Sequence, residues 1–195
     1  MGPKNDTRRL ILDAAKVVFA NKGYDGGTMD EIASEAGIKK ALIFYYFPSK
    51  EDLFLGVWKE GIDELENYLF AEMEGELSFL RKIKRLLRSY IEFVLHHKDI
   101  MKLIEMNRNK VLETRKELKP WPQIHQRYSS FIHRIEDLIE EGKTMNSIPQ
   151  SISTHATARI IAHGMGLGAM ESDLSLDTIV QFILNGMSLP SESTS

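Results

Sequence analysis

The chain has 195 residues, 43% hydrophobic and 27% charged, with six prolines, thirteen glycines and no cysteine; this excludes a collagenous chain, a disulfide framework and a thiolate metal site. Its formal charge of −3 provides no general attraction to nucleic acid. No uncharged apolar run reaches the ~18–20 residues that span a bilayer, and the polar start from Met1 to Arg9 has no apolar signal core, so a cytoplasmic protein with no membrane partner is expected.

Nearly every apolar pattern has the helical period. A first helix is expected from Asp6 or Thr7 to Lys22, with Ile11, Ala15, Val18 and Phe19 on one face and Gly23 as its stop. A second opens at Thr28, with Glu31 three residues on as a capping box, and ends at Gly37. The third runs from Lys39 to Phe47 and stops at Pro48. Ser49 and Asp52 form another capping box opening a fourth helix to about Ala71. Leu80, Ile83, Leu87, Tyr90 and Val94 stripe a helix over 78–97, and a shorter one follows over 99–115. The run Lys119-Pro-Trp-Pro122 interrupts the pattern. Ile124, Tyr128, Phe131, Ile135 and Leu138 then stripe a helix ending near Gly142, and 146–150 is a loop. Helices over 153–170 and 176–187 complete about nine. The fold class is all-α: a three-helix head (1–48), a linking helix (49–71) within a bundle over 49–189, and a disordered tail over 190–195.

The chemistry lies between Met29 and Phe47. Ala33, Gly37 and Ile43 supply a small residue, a turn glycine and an apolar anchor at the spacing of a helix-turn-helix. With Ile32, Ala36, Ile38 and Phe47 buried, the second helix of the pair presents Lys39, Lys40, Ala41, Phe44 and Tyr45 outward. Such a surface suits the major groove, where lysine reaches guanine O6 or N7. Residues 1–50 hold eight basic and six acidic side chains, a +2 head on a −5 body. On spacing alone two readings stand: a DNA-binding regulator, or a helical enzyme or adaptor using the same pair only for packing.

From Arg9 to Leu53 the chain resembles the DNA-binding segment of the TetR family. The resemblance is carried by Ile11, Leu12, Ala14, Ala15, Phe19, Gly23, Tyr24, Thr28, Ile32, Ala33, Ala36, Gly37 and Ile38, then by Ile43 to Phe47 and Ser49, Lys50, Glu51 and Leu53. It implies that Thr28 caps the second helix and contacts phosphate. It also implies that Tyr45, Tyr46 and Lys50 lie along the DNA backbone while Lys39 to Phe44 face the bases. Four positions depart from the family pattern. Lys39 replaces a usual Ser or Thr cap, Ala41 a frequent Gly, Phe44 a usual Tyr and Tyr46 a frequent His.

For the body, the resemblance implies six helices, the last two forming a homodimer interface and the middle ones enclosing an effector. Ala158, Ala162 and Gly166 at spacing four, with Ile179, Ile183 and Met187, are the interface candidates. Tyr90, Met101, Met106, Trp121, Tyr128 and Phe131 are the pocket candidates for a largely apolar effector, ordinary core being the alternative for each. The run from Gly164 to Gly168 lacks the strand and Lys-Ser/Thr of a phosphate loop. His96, His97, His133 and Asp137 offer no third ligand, so no metal, cofactor or catalytic group is expected. The expected function is a ligand-responsive regulator, a repressor released from double-stranded operator DNA by a small molecule.

Overall fold

The computed structural model describes residues 3–71, 73, 75–112 and 120–171, and these are all-helical. The eight helices are α1 (Pro3–Gly26), α2 (Met29–Glu35), α3 (Lys40–Tyr46), α4 (Lys50–Ala71), α5 (Phe79–His96), α6 (Lys98–Leu112), α7 (Trp121–Thr144) and α8 (Thr154–Glu171). The ninth expected helix, over 176–187, and the tail lie outside the described residues. So do Ile179, Ile183 and Met187.

The chain divides into two units. The first holds residues 1–64 and 97–128, the second 65–96 and 129–195. α6 and the start of α7 fall in the same unit as the head, where α6 packs on α1. Lys102 Nζ donates to Asn21 Oδ1 at 3.0 Å across that contact. In the first unit Ile11, Ala15, Phe19, Ile32, Ile43, Leu53 and Phe54 are buried, and Phe19 and Phe54 meet edge to face at 5.0 Å. In the second unit α8 packs on α5.

Three helix ends show how local sequence sets the elements. Gly23 has φ 69° and breaks the helical path of α1, three residues before its last residue. Pro122 lies in the first turn of α7, where its missing N–H costs nothing, so the Pro-Trp-Pro run starts that helix. Gly142 is not the stop of α7. The helix runs on to Thr144 and closes at Asn146, whose φ is 52°. Asn146 N–H then reaches Lys143 O and Ser147 N–H reaches Gly142 O, both at 2.9 Å, a Schellman closure with asparagine in the left-handed position. Gly142 is glycine for another reason. A Cβ there would stand 2.4 Å from the ring of Phe79, so the ring packs directly on the α7 backbone.

The small-residue face of α8 is packed within the chain at Ala158 and Ala162. Ala158 and Ala162 are 0% and 8% exposed within the single chain, and the Tyr90 hydroxyl of α5 donates to Ala162 O at 3.0 Å. The close crossing is present, but its partner is the chain's own α5. Small side chains admit any helix, and their spacing does not say whose. Gly166 falls further along α8.

Candidate nucleic-acid interface

The interface is built from two short helices and the turn between them. Thr28 caps α2: its hydroxyl accepts from Glu31 N–H at 3.3 Å, and its own N–H donates to Glu31 Oε2 at 3.0 Å. Both halves of the capping box are therefore made. α2 ends in a Schellman motif, with Gly37 N–H on Ser34 O at 3.2 Å and Ile38 N–H on Ala33 O at 3.0 Å. The motif needs a left-handed residue, and Gly37 has φ 64° with nothing within 4 Å of where its Cβ would be. Backbone conformation alone, not crowding, requires glycine here.

This turn presses α3 down through Ile43, fully buried, and Phe47, while Ala33 and Ala36 give the room. The opposite face follows from helical geometry. Lys39, Lys40, Ala41, Leu42, Phe44 and Tyr45 are exposed and Tyr46 is half-buried. Leu42, Phe44 and Tyr45 are 38%, 41% and 68% exposed, a dense apolar and aromatic surface for so short a helix. Leu42, within the Lys39 to Phe44 stretch but not singled out above, lies three residues after Lys39 and four before Tyr46, on the same face. As the departure at position 39 implies, Lys39 stands at the N-cap of α3 and makes no side-chain capping bond.

The cations are held by neighbours. Lys40 Nζ is 2.8 Å from Asp30 Oδ2 of α2. Lys50 Nζ donates to Asp25 O at 3.3 Å and stands 4.8 Å over the Tyr24 ring. The Tyr24 hydroxyl donates to Glu51 Oε1 at 2.8 Å. Burial, then this carboxylate, raise the Tyr24 pKa. Glu51 is held below the usual carboxylate range, first by a backbone N–H and then by the Tyr24 hydroxyl. Tyr24 also packs edge to face on Phe54 (4.9 Å) and Trp121 (5.4 Å), which anchors the Lys50 turn in the core. Arg8, also missed by sequence reasoning, lies 5.2 Å over the Phe47 ring.

The expected effector residues fall in both units. Met101, Met106, Trp121 and Tyr128 belong to the first unit, Tyr90 and Phe131 to the second. Met101, Tyr90, Tyr128 and Phe131 are buried, and Met106 is 47% exposed with its methyl end against Gly23. A feature no spacing reveals accompanies the first set. The Trp58 indole, edge to face with Tyr128 at 5.9 Å, has a buried N–H with no partner among the described residues, as does the Gln123 side-chain oxygen. His96 and His133 bond within their own helices, Nδ1 to Glu92 O at 2.7 Å and Nδ1 to Ser129 O at 2.6 Å, while His97 Nδ1 is 3.0 Å from Glu64 Oε1 of α4. Among the described residues no three carboxylates or imidazoles gather as a metal site.

A capped helix, a glycine turn and a second helix with an exposed cationic and aromatic face define a helix-turn-helix protein with an all-helical body. Residues 11–57 match the model of the bacterial regulatory proteins of the tetR family. Two curated relatives are similar. The transcriptional activator FasR of Mycolicibacterium smegmatis is 29% identical over 105 residues, 54% of this chain and 48% of that protein. The transcriptional regulator YhgD of Bacillus subtilis is 32% identical over 102 residues, 52% of this chain and 53% of that one. The matched segment thus spans about half the length of these relatives. Among solved structures, AibR in complex with isovaleryl coenzyme A and operator DNA superposes with a TM-score of 0.74 at 16% identity, covering 93% of this chain and 98% of that one; the likeness is one of fold. The likeness to the tetR family is thus carried by the DNA-binding segment, residues 11–57.

Proposed function

We propose that this chain is a ligand-responsive, sequence-specific DNA-binding regulator, a repressor that leaves its operator when a small molecule binds. The exposed face of α3 carries the reading: Lys39, Lys40, Ala41 and Phe44 meet base edges in the major groove. Thr28, Tyr45, Tyr46 and Lys50 take the phosphates. Two such heads on a homodimer read half-sites about one helical turn apart or more. The relatives are named as regulators of transcription, not as enzymes, and among the described residues no helix is long and apolar enough to cross a membrane.

Support for an effector comes from the unpaired Trp58 N–H and Gln123 oxygen. Buried polar groups without partners cost on the order of 1–3 kcal/mol each, a cost that a bound polar group or water relieves. AibR is known bound to both a coenzyme A thioester and operator DNA, which motivates acyl thioesters as the first compounds to test. The decisive experiment selects bound sequences from a random duplex pool. An enriched inverted repeat is expected; enrichment of no motif would leave the helix pair as a packing element of an adaptor or enzyme.

A further inference from the structure

The side chains available on α3 limit what that helix can read. From Lys39 to Tyr46 there is no carboxylate, side-chain amide, imidazole, guanidinium or aliphatic hydroxyl. Adenine N6 and cytosine N4 need an acceptor, and the only side-chain acceptors here are the hydroxyls of Tyr45 and Tyr46, which are assigned above to phosphates. Lysine only donates. Guanine O6 and N7, adenine N7 and thymine O4 all accept, so amines cannot by themselves tell every base pair apart. Lys40 is in addition paired with Asp30 Oδ2 at 2.8 Å.

What the face offers instead is apolar surface. Ile43 and Phe47 mark the buried side of α3. By the helical period the opposite side is centred on Ala41 and Tyr45, four residues apart, with Leu42 on one flank and Phe44 on the other. Both flanking side chains are exposed, and Ala41 between them keeps the ridge low enough to approach a groove floor. A single exposed leucine needs no explanation. Here it sits on the face assigned to base edges, beside donors and without acceptors. In the major groove the apolar feature of a base edge is the 5-methyl group of thymine.

We propose that Leu42, with Phe44 on the opposite flank, reads thymine 5-methyl groups, and that this contact sets operator preference while the lysines act on neighbouring guanines. The inference rests on the DNA-binding reading above and deepens it: Leu42 becomes a specificity-determining residue, and each half-site holds a thymine within its reach. Taking one methyl group out of water against a leucine strengthens binding about fourfold, and about fifteenfold when both half-sites supply it. Deoxyuridine pairs as thymidine does and presents the same O4, lacking only the methyl group, so it isolates this contact.

The test carries the full chain through parallel selections from two random duplex pools, one made with thymidine and one with deoxyuridine. An inverted repeat with thymine in each half-site is expected from the first pool, and a weaker or different preference from the second. On the selected duplex, exchanging thymidine for deoxyuridine in both half-sites, position by position, should weaken binding about fifteenfold at the position facing Leu42. For Leu42→Ala the same exchange should cost less than twofold. Leu42→Met keeps an apolar contact and should retain most of the parent's discrimination. A cytosine placed at that position should bind the parent better when methylated at C5, and Leu42→Ala no better, which separates the methyl contact from the pairing of the base. The salt slope of Leu42→Ala should match the parent's, because no phosphate contact is lost. Thermal melts establish that each variant is folded. The same motif enriched equally from both pools would overturn the proposal and leave the regulator reading standing. An equal thymidine-to-deoxyuridine ratio for the parent and Leu42→Ala would overturn the assignment to Leu42. No motif from either pool would overturn the regulator reading, and this inference with it.

Discussion

Lys50 and Lys40 are both amines of the head, yet their surroundings differ in a way that suits the different tasks proposed for them. Lys50 lies over the Tyr24 ring and beside the Asp25 carbonyl, in a turn tied down by the Tyr24–Glu51 hydrogen bond. A cation held at a fixed place suits a backbone phosphate, whose position does not vary with sequence. Lys50→Ala should weaken binding to cognate and scrambled duplexes alike and lower the slope of log affinity against log salt by about 1. An unchanged slope would show that Lys50 makes no phosphate contact. Lys40 instead pairs with Asp30 on the exposed surface, a contact contributing only about 0–1 kcal/mol and easily exchanged for a base edge. Lys40→Ala should alter preference at one operator position by roughly 1–3 kcal/mol. Equal loss on all sequences would place Lys40 on the backbone instead.

At the scale of the element, the two glycines Gly37 and Gly142 show two different demands. Gly37 meets a backbone requirement in open space, whereas Gly142 meets a space requirement in ordinary helical backbone, with the buried Phe79 ring against it. Gly142→Ala improves helix propensity by about 1 kcal/mol. It also drives a methyl into a rigid ring, and overpacking of this kind costs typically about 1–3 kcal/mol. The net expectation is a lower melting temperature, and pairing the substitution with Phe79→Leu should recover part of the loss. A Gly142→Ala chain that melts higher than the parent would mean that the ring moves aside freely.

For the whole molecule, the question is which surfaces are spent inside one chain and which remain for another. Ala158 and Ala162 are buried within the chain, and Ala162 O accepts from Tyr90 of α5. Ala162→Leu should therefore press α8 from α5, lengthen the Tyr90 hydrogen bond and destabilise the fold by about 1–3 kcal/mol. Thermal melting and sedimentation distinguish the outcomes. The expected result is a lower melting temperature with the oligomeric state of the folded fraction unchanged. A stable variant that dissociates would return this face to the dimer interface.

The head was legible because its determinants are local. Thr28 with Glu31, Gly37 between Ala33 and Ile38, and the buried Ile43 act within a few residues of one another, so their spacing alone specifies cap, turn and exposed face. Helix existence in the body was legible for the same reason, since a 3.6-residue stripe must bury one side. What that side meets was not. The approach of Ala162 to α5, the ring of Phe79 on Gly142, and the gathering of Tyr68, Arg85, Arg88 and Ser89 around one cavity all join residues distant in sequence. A stripe or a small residue carries no record of its partner; packing between distant helices decides it, through the volume and polarity left once all the faces are filled.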